Sequence, residues 1–485
     1  LFALIITAIG LLVTIYADAY MAEHPQRNRF FLLLHAFLLS MVGLVLANDL
    51  ILLFVFWELT SLFSFLLIGF DHESAKARSS ARQSLLVTGG GGLLLLVGII
   101  MFGHVTGTYD MSEHSRYASQ LHHHSLYLPI LFCMLAGAFT KSAQFPFHFW
   151  LPNAMAAPTP ISAFLHSATM VKAGIYLLAR LHPVMGGTTA WMTTLVIVGA
   201  LTALWGAIVS LARTELKSVL AQTTIMALGI MTMFLGGSST PALTAAMTFL
   251  LVHALYKSSL FMVAGAIDHQ TGTREISQIG GLARHMPLTA AATLFATLSM
   301  AGFPLFIGFV GKEIMYKGAL SEGVFSGLAT ITALISNALM TAVAATLLVR
   351  PFWGGQRKAR PSGEAPWQIW FGPLLIGGTC LGFGLIPDWV GHWLVEPAVR
   401  AIDANSADIE LKLFYGFNTP LLLSIATIII GSVIYLNRRW LRRNLIRLFA
   451  ALPLTIDGFY DWLVKTIVAF AAWQTRQLQN GSLYR

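Results

Sequence analysis

The stretch Tyr127-Leu128-Pro129-Ile130-Leu131-Phe132-Cys133-Met134-Leu135-Ala136-Gly137-Ala138-Phe139-Thr140-Lys141-Ser142-Ala143-Gln144-Phe145-Pro146-Phe147-His148-Phe149-Trp150 is apolar over the depth of a membrane, yet holds a lysine. About 20 apolar residues carry a helix through the hydrocarbon core, whereas a membrane strand needs about ten and alternates in polarity. The run therefore reads as a transmembrane helix. Pro146 removes a backbone donor and its ring collides with the preceding turn, which predicts a break close to Lys141. Comparable runs follow one another at 1–20, 30–47, 50–70, 83–104, 127–150, 160–180, 189–212, 218–236, 242–266, 288–311, 326–349, 367–387 and 419–437. Of the 485 residues, 56% are hydrophobic and only 11% charged, with a mean hydropathy of +0.71, so a bilayer is the natural solvent. The expected fold is an all-α, polytopic membrane protein, with a helix bundle over 1–437 and a basic, amphipathic tail over 438–485 that crosses the membrane or lies along its surface.

The net charge of +9 does not point to nucleic acid, because the lysines and arginines fall in short links. One set of alternate links holds Arg27 and Arg29, then Lys76, Arg78 and Arg82, then Arg213 and Lys217, then Arg274 and Arg284. It continues with Arg350, Arg357, Lys358 and Arg360, and ends with Arg438, Arg439, Arg442, Arg443 and Arg447. The opposite links carry Arg116, Arg400 and Lys412 among several carboxylates, and this asymmetry predicts a cytoplasmic basic side. Cys133 and Cys380 have no metal or redox spacing and read as packing. His114 and the triplet His122, His123 and His124 form either a metal site or a solvated loop, and the loop is the plainer reading. The run at residues 89–92, four glycines, lacks the context of a phosphate loop and suits close helix packing. No bound cofactor is expected. The chain begins inside an apolar helix and is expected to be a piece of a longer protein.

An ionisable group at membrane depth costs roughly 2.5 to 3.5 kcal/mol on insertion scales, so each one is a candidate for function. Glu58 stands in Phe56-Trp57-Glu58-Leu59-Thr60-Ser61, with a structural ion pair as the bland alternative. His166 and Lys172, six apart, fall on different helix faces; Lys172 has snorkelling or structural pairing as its alternative. His253 and Lys257, four apart, share a face, which suits a proton relay. Lys312 and Glu313 follow Ala301-Gly302-Phe303-Pro304, a second Gly/Pro interruption, with an exposed helix end as the alternative. Two interrupted segments, each bearing a lysine, are the sequence pointer to an inverted-repeat transporter. Burial disfavours an ammonium and a nearby carboxylate restores it, so a buried lysine whose partner comes and goes is a proton switch. One charge crossing the membrane exchanges about 2.3 kcal/mol per 100 mV, comparable to one or two pKa units of about 1.36 kcal/mol each.

Taken together, the run from Phe56 through Glu58 to Phe70, Lys141-Ser142-Ala143-Gln144-Phe145-Pro146 and Pro158-Thr159-Pro160-Ile161-Ser162-Ala163 resemble the antiporter-like subunits shared by respiratory complex I and the Mrp cation/proton antiporters. The segments at 81–92, Met170-Val171-Lys172-Ala173-Gly174 and Leu478-Gln479-Asn480-Gly481-Ser482-Leu483 are similar to the large-subunit (MrpA) branch. The resemblance implies antiporter-like inverted repeats of five helices each with two discontinuous helices, lacking here the family's first helices and a C-terminal portion. It further implies a multisubunit complex of Mrp-type membrane subunits in a bacterial cell membrane, exchanging protons for Na+ or K+. Glu58, Lys141, His253, Lys257 and Lys312 match the family's polar axis, with His166 and Lys172 adjoining. Alternatives are a redox-driven pump subunit of complex I or a membrane hydrogenase, and a non-transporting scaffold.

Overall fold

A computed structural model describes residues 1–355, 363–451 and 456–478. The expected link charges Arg357, Lys358 and Arg360 and the tail at 479–483 lie outside them. The long helices are α1 (Phe2–Tyr20), α2 (Arg27–Leu46), α3 (Leu50–Ile68), α4 (Ala75–Thr106), α5 (Tyr127–Lys141), α6 (Thr159–Ser167), α7 (Ala173–Met185), α8 (Thr189–Ala212) and α9 (Leu216–Gly236). They continue with α10 (Thr240–Thr271), α11 (Pro287–Ala301), α12 (Ile307–Leu320), α13 (Ser326–Leu348), α14 (Trp367–Leu385) and α15 (Thr419–Leu436). Residues Leu1–Arg438 form one compact unit. A second, Arg439–Arg485, holds most of a basic helix, α16 (Arg438–Ala450), and α17 (Ile456–Leu478).

Among the described residues, eleven helical segments are long and apolar enough to cross a membrane. α6 with α7, α9 and α10 are almost wholly buried, whereas α1 to α4, α14 and α15 turn large parts of their surface outward. That outward surface is leucine and isoleucine, as at Leu32, Leu39, Leu93 and Ile100, which only lipid tails solvate well. The interior helices are free of that demand, and it is there that histidine and lysine collect.

Side-chain contacts sort the links into two ends. At the basic end Tyr20 meets Thr159 at 3.2 Å and Arg274 pairs with Glu215 at 3.0 Å. At the other, Asn48 donates to Asp110 at 2.7 Å, and the Tyr127 hydroxyl donates to the Met185 carbonyl at 2.9 Å. One motif is written at both ends. Thr106-Gly107-Thr108-Tyr109-Asp110 closes α4, and Thr271-Gly272-Thr273-Arg274-Glu275 closes α10. Both helices are 32 residues long and end on a glycine at φ +76° or +68°, a conformation that favours glycine for want of a Cβ. The Leu50 amide then donates to the Tyr109 carbonyl at 2.9 Å, and the Leu216 amide to the Arg274 carbonyl at 3.0 Å. The same turn at opposite ends is the local signature of two inverted repeats.

The breaks differ from the sequence expectation in three ways. α5 ends on Lys141, as expected, but short turns fill the remainder of 127–150. The run at 160–180, expected to be continuous, is interrupted between α6 and α7, where Thr169 adopts φ −125°, ψ −108°. The span expected to stop at 311 breaks at Gly302 and continues as α12 to Leu320, because the chain resumes helix beyond Pro304. Lys312 is consequently inside a helix and buried, not at an exposed end.

α8 and α9 pack through glycines. A Cβ on Gly229 would lie 2.4 Å from the Ala203 nitrogen and 2.6 Å from the Gly199 oxygen, backbone atoms that move only if the helices separate. Gly229→Ala is expected to destabilise the protein by about 1–3 kcal/mol. Gly90→Ala, in open space on α4, is expected to be neutral or stabilising by up to about 1 kcal/mol; denaturation in detergent compares the two.

Glu322, in the link between α12 and α13, lies against Gly237 with its Oε1 unpartnered, and burial pushes its carboxyl up to about 7. The folded state thus keeps a proton that the unfolded chain releases from about 4.5 upward, so this group loses the protein stability as pH rises through that interval. Glu322→Gln is expected to gain stability over the parent progressively between pH 4.5 and 7, with a constant difference above. A flat difference across that range, measured by thermal melts, contradicts the assignment.

Candidate functional site

Five lysines are fully or almost fully buried in the bundle: Lys141, Lys172, Lys217, Lys257 and Lys312. Each ammonium donates to a main-chain carbonyl, and none has a carboxylate within 4.0 Å among the described residues. A carbonyl offers a lone pair without a countercharge, so each of these side chains is held in place without an ion pair.

Lys141 is the last residue of α5, where its charge complements the helix's negative end. Its Nζ donates to the Trp57 carbonyl at 2.9 Å and to the Ser61 hydroxyl at 2.6 Å, and sits 5.0 Å from the Trp57 ring centre. Both acceptors are on α3 and bracket Glu58. The half-buried Glu58 carboxylate is within electrostatic reach of Lys141 without an ion pair, and its Oε1 has no hydrogen-bond partner. The α4 glycines explain how it fits. A Cβ on Gly92 would lie 1.9 Å from the Glu58 Oε1, and one on Gly91 would lie 1.8 Å from the Thr140 hydroxyl. The glycine run expected to serve helix packing thus makes room for the polar groups on either side of Lys141.

The interruption between α6 and α7 separates His166 from Lys172. Lys172 donates to the Leu250 carbonyl of α10 at 3.1 Å, one turn before His253. Lys257 donates to the Leu220 carbonyl at 2.7 Å and also to the Thr223 hydroxyl, both on α9. His253 lies within electrostatic reach of Lys172 and Lys257, and His166 of Lys217 and Lys257. Both ring nitrogens of each histidine are buried and unpartnered. His166 and Lys172, whose faces diverge, therefore have different neighbours, Lys217 and Lys257 for His166 and His253 for Lys172.

Lys312 donates to the Ala301 carbonyl, the last of α11, and closes the break in its own span. Gly302 leaves the necessary space, since a Cβ there would lie 2.3 Å from the Lys312 Cε. Glu313 accepts a hydrogen bond from Ser424 of α15, and Tyr316, one turn on, bonds Thr427. Ser424, Thr427 and Gly431 are the only buried residues of α15, so one polar stripe docks that helix.

Two members of the site lie outside the polar axis expected from the sequence. Lys217 has the profile of a link charge through its proximity to Arg213, but its Nζ turns inward to the Ala157 carbonyl at 2.6 Å. Glu313 is named beside Lys312 in the sequence but not placed on the expected polar axis; its i, i+3 relation to Tyr316 is the available signal. In the histidine loop, His123 and His124 are exposed, as a solvated loop requires, and His114 departs from that expectation. His114 is buried beside the Phe102 ring, centroids 4.7 Å apart, and burial lowers its pKa to about 4. His122 bonds the Val184 carbonyl at 3.0 Å, and no metal-binding group of three acidic, histidine or cysteine residues forms among the described residues.

The family described as "NADH:quinone oxidoreductase/Mrp antiporter, TM" matches residues 47–336, and that described as "NADH-Ubiquinone oxidoreductase (complex I), chain 5 N-terminus" matches residues 1–31. A probable K(+)/H(+) antiporter subunit of Rhizobium meliloti is 43% identical, over 90% of this chain and 44% of its own. One Na(+)/H(+) antiporter subunit of Bacillus subtilis is 37% identical, over 97% of this chain and 62% of its own. In the solved structure of the Mrp complex from Dietzia sp. DQ12-45-1b, one chain superposes with a TM-score of 0.88 at 35% identity, over 97% of this chain and 52% of that one. The chain thus spans about half to two thirds of the length of these relatives. With a family match over more than half its residues and the same bundle in a solved relative, this multi-pass membrane chain belongs to the NADH:quinone oxidoreductase/Mrp antiporter transmembrane family.

Proposed function

We propose that the chain is the proton-translocating part of a multisubunit cation/proton antiporter in a bacterial cell membrane, working with other Mrp-type membrane subunits and exchanging protons for Na+ or K+. The observation that carries this reading is the series of buried lysines resting on neutral carbonyls, with Glu58 within electrostatic reach of Lys141 but not ion-paired to it. A lysine locked to a carboxylate is a structural ion pair, whereas one on a carbonyl and a hydroxyl can change partner. In this scheme Lys141 holds the exchangeable proton and Glu58 sets how readily it leaves. Lys172, His253 and Lys257 pass protons along the interior helices to Lys312, with Glu313 at the far end. The two unpartnered histidines accept and release protons without first breaking a bond. The names of the relatives favour an antiporter and cite both Na+ and K+.

A second reading, a pump driven by a redox partner, is favoured by the match of residues 1–31 to the N-terminus of a complex I chain. Purification with iron–sulfur proteins supports that reading, and purification with only small membrane proteins supports the antiporter.

In vesicles containing the full complex, Lys141→Ala is expected to reduce cation-driven proton exchange to background while the subunits still co-purify. Exchange at the parental rate overturns the role of Lys141, and leaves the series of charges as scaffold. Ser61→Ala removes one of the two acceptors of that ammonium. It is expected to slow exchange by about ten-fold, the scale of one hydrogen bond to a charged group.

A further inference from the structure

At the basic end, α2, α3 and α4 enclose a cavity of about 560 Å³ lined by Arg29, His72, Arg78 and Arg82 over an apolar wall that includes Phe65 and Leu66. We propose that this cavity binds the phosphate of an anionic phospholipid, with the acyl chains running up the outer faces of α3 and α4. Four observations carry the assignment, and none involves the Lys141 series.

First, the charge is uncompensated. Among the described residues no carboxylate lies within 4.0 Å of Arg29, Arg78 or Arg82. Arg29 donates to the Gln26 side chain at 2.7 Å and lies 5.5 Å from the Phe70 ring centre. Arg78 donates to the carbonyls of His72 and Glu73 at 2.6 and 2.9 Å, which orient the guanidinium and leave its charge intact. Asp71, in the same link, faces His24 at 3.8 Å.

Second, the placement opposes local preference. The first turn of α4 has no acidic residue and holds Lys76 and Arg78, where the helix dipole is positive, with Arg82 one turn further on. An anion seated there satisfies the guanidinium groups and the dipole together. Third, Arg78 and Arg82 are four apart and so share one face of α4.

Fourth, the surroundings suit a lipid better than a free anion. One turn deeper, Leu62 on α3 and Leu86 on α4 are 45% and 57% exposed, so an apolar track leads away from the charged mouth. A phosphate diester with two acyl chains fits a basic mouth at the end of membrane helices continued by leucine.

The test uses the purified full complex, stripped of lipid, with phosphatidylglycerol, phosphatidylcholine and inorganic phosphate as separate probes and retained lipid read by native mass spectrometry. Phosphatidylglycerol is expected to bind in preference to phosphatidylcholine, and Arg78→Gln/Arg82→Gln to weaken it by at least about ten-fold, from roughly 1 kcal/mol per removed charge. Arg29→Gln, with α4 untouched, is expected to give a smaller loss in the same direction. Lys141→Ala is expected to retain the lipid in full, which separates this inference from the transport reading. Equal retention in the parent and both Arg variants overturns it. Competition by inorganic phosphate at concentrations comparable to the lipid overturns it in favour of a free-anion site. Loss of another protein of the complex from the Arg variants, with lipid retention unchanged, overturns it in favour of a protein interface.

Discussion

A buried ammonium group in this bundle is met by the peptide carbonyl, and the rest of the architecture follows from that pairing. Lysine has three donors and no acceptor, and a helix interior offers almost nothing to them, since its carbonyls already bond four residues on. The carbonyls used here come from two sources. Ala301 is the last residue of α11 and Ala157 lies in the extended link before α6, so both carbonyls come from where a helix ends or has not begun. Trp57, Leu220 and Leu250 lie within continuous helices and lend a second lone pair. Hydroxyls at Ser61 and Thr223 supplement them.

That requirement accounts for the division of labour among helices. α9 and α10 are enclosed on all sides and carry Lys217 and Lys257 together with the acceptors Leu220, Thr223 and Leu250. The rim helices present hydrocarbon to the lipid on their outer faces and, on α3, Trp57 and Ser61 to Lys141 on the inner one. Glycine adjusts the spacing between the two classes. On α4, residues 91 and 92 admit Thr140 and Glu58; at the end of α11, Gly302 admits the Lys312 side chain. Each is a place where a methyl group would occupy the volume of a polar atom, so close packing and the charged series are one design.

Much of the fold is legible in the residues. Apolar length identifies the spans, and the proline at 146 and the Gly/Pro pair at 302 and 304 identify two of the breaks, since both act through the local backbone. The break between α6 and α7 is not legible, because Ala168 and Thr169 carry no breaker and the interruption is imposed by packing: Thr169 bonds the Phe164 carbonyl, and Ser142 of the neighbouring break bonds that of Val171. Lys217 escapes for a related reason. A lysine two residues into a helix after an arginine-bearing link has the sequence profile of a solvated charge, and only the carbonyl of Ala157 from a distant segment turns it inward.

By itself, then, the sequence determined the solvent, the helical class, most of the charges that lie at membrane depth and the motif repeated at Thr106 and Thr271. These are properties of short segments and of transfer from water to hydrocarbon, which depend on composition and local order. Which carbonyl receives each ammonium, that Glu58 stands beside Lys141 without touching it, and that Glu313 belongs with α15 were decided only in three dimensions. Hydrogen bonds act over about 3 Å. The chain separates Glu313 from Ser424 by 111 positions, and no local rule carries information across that distance.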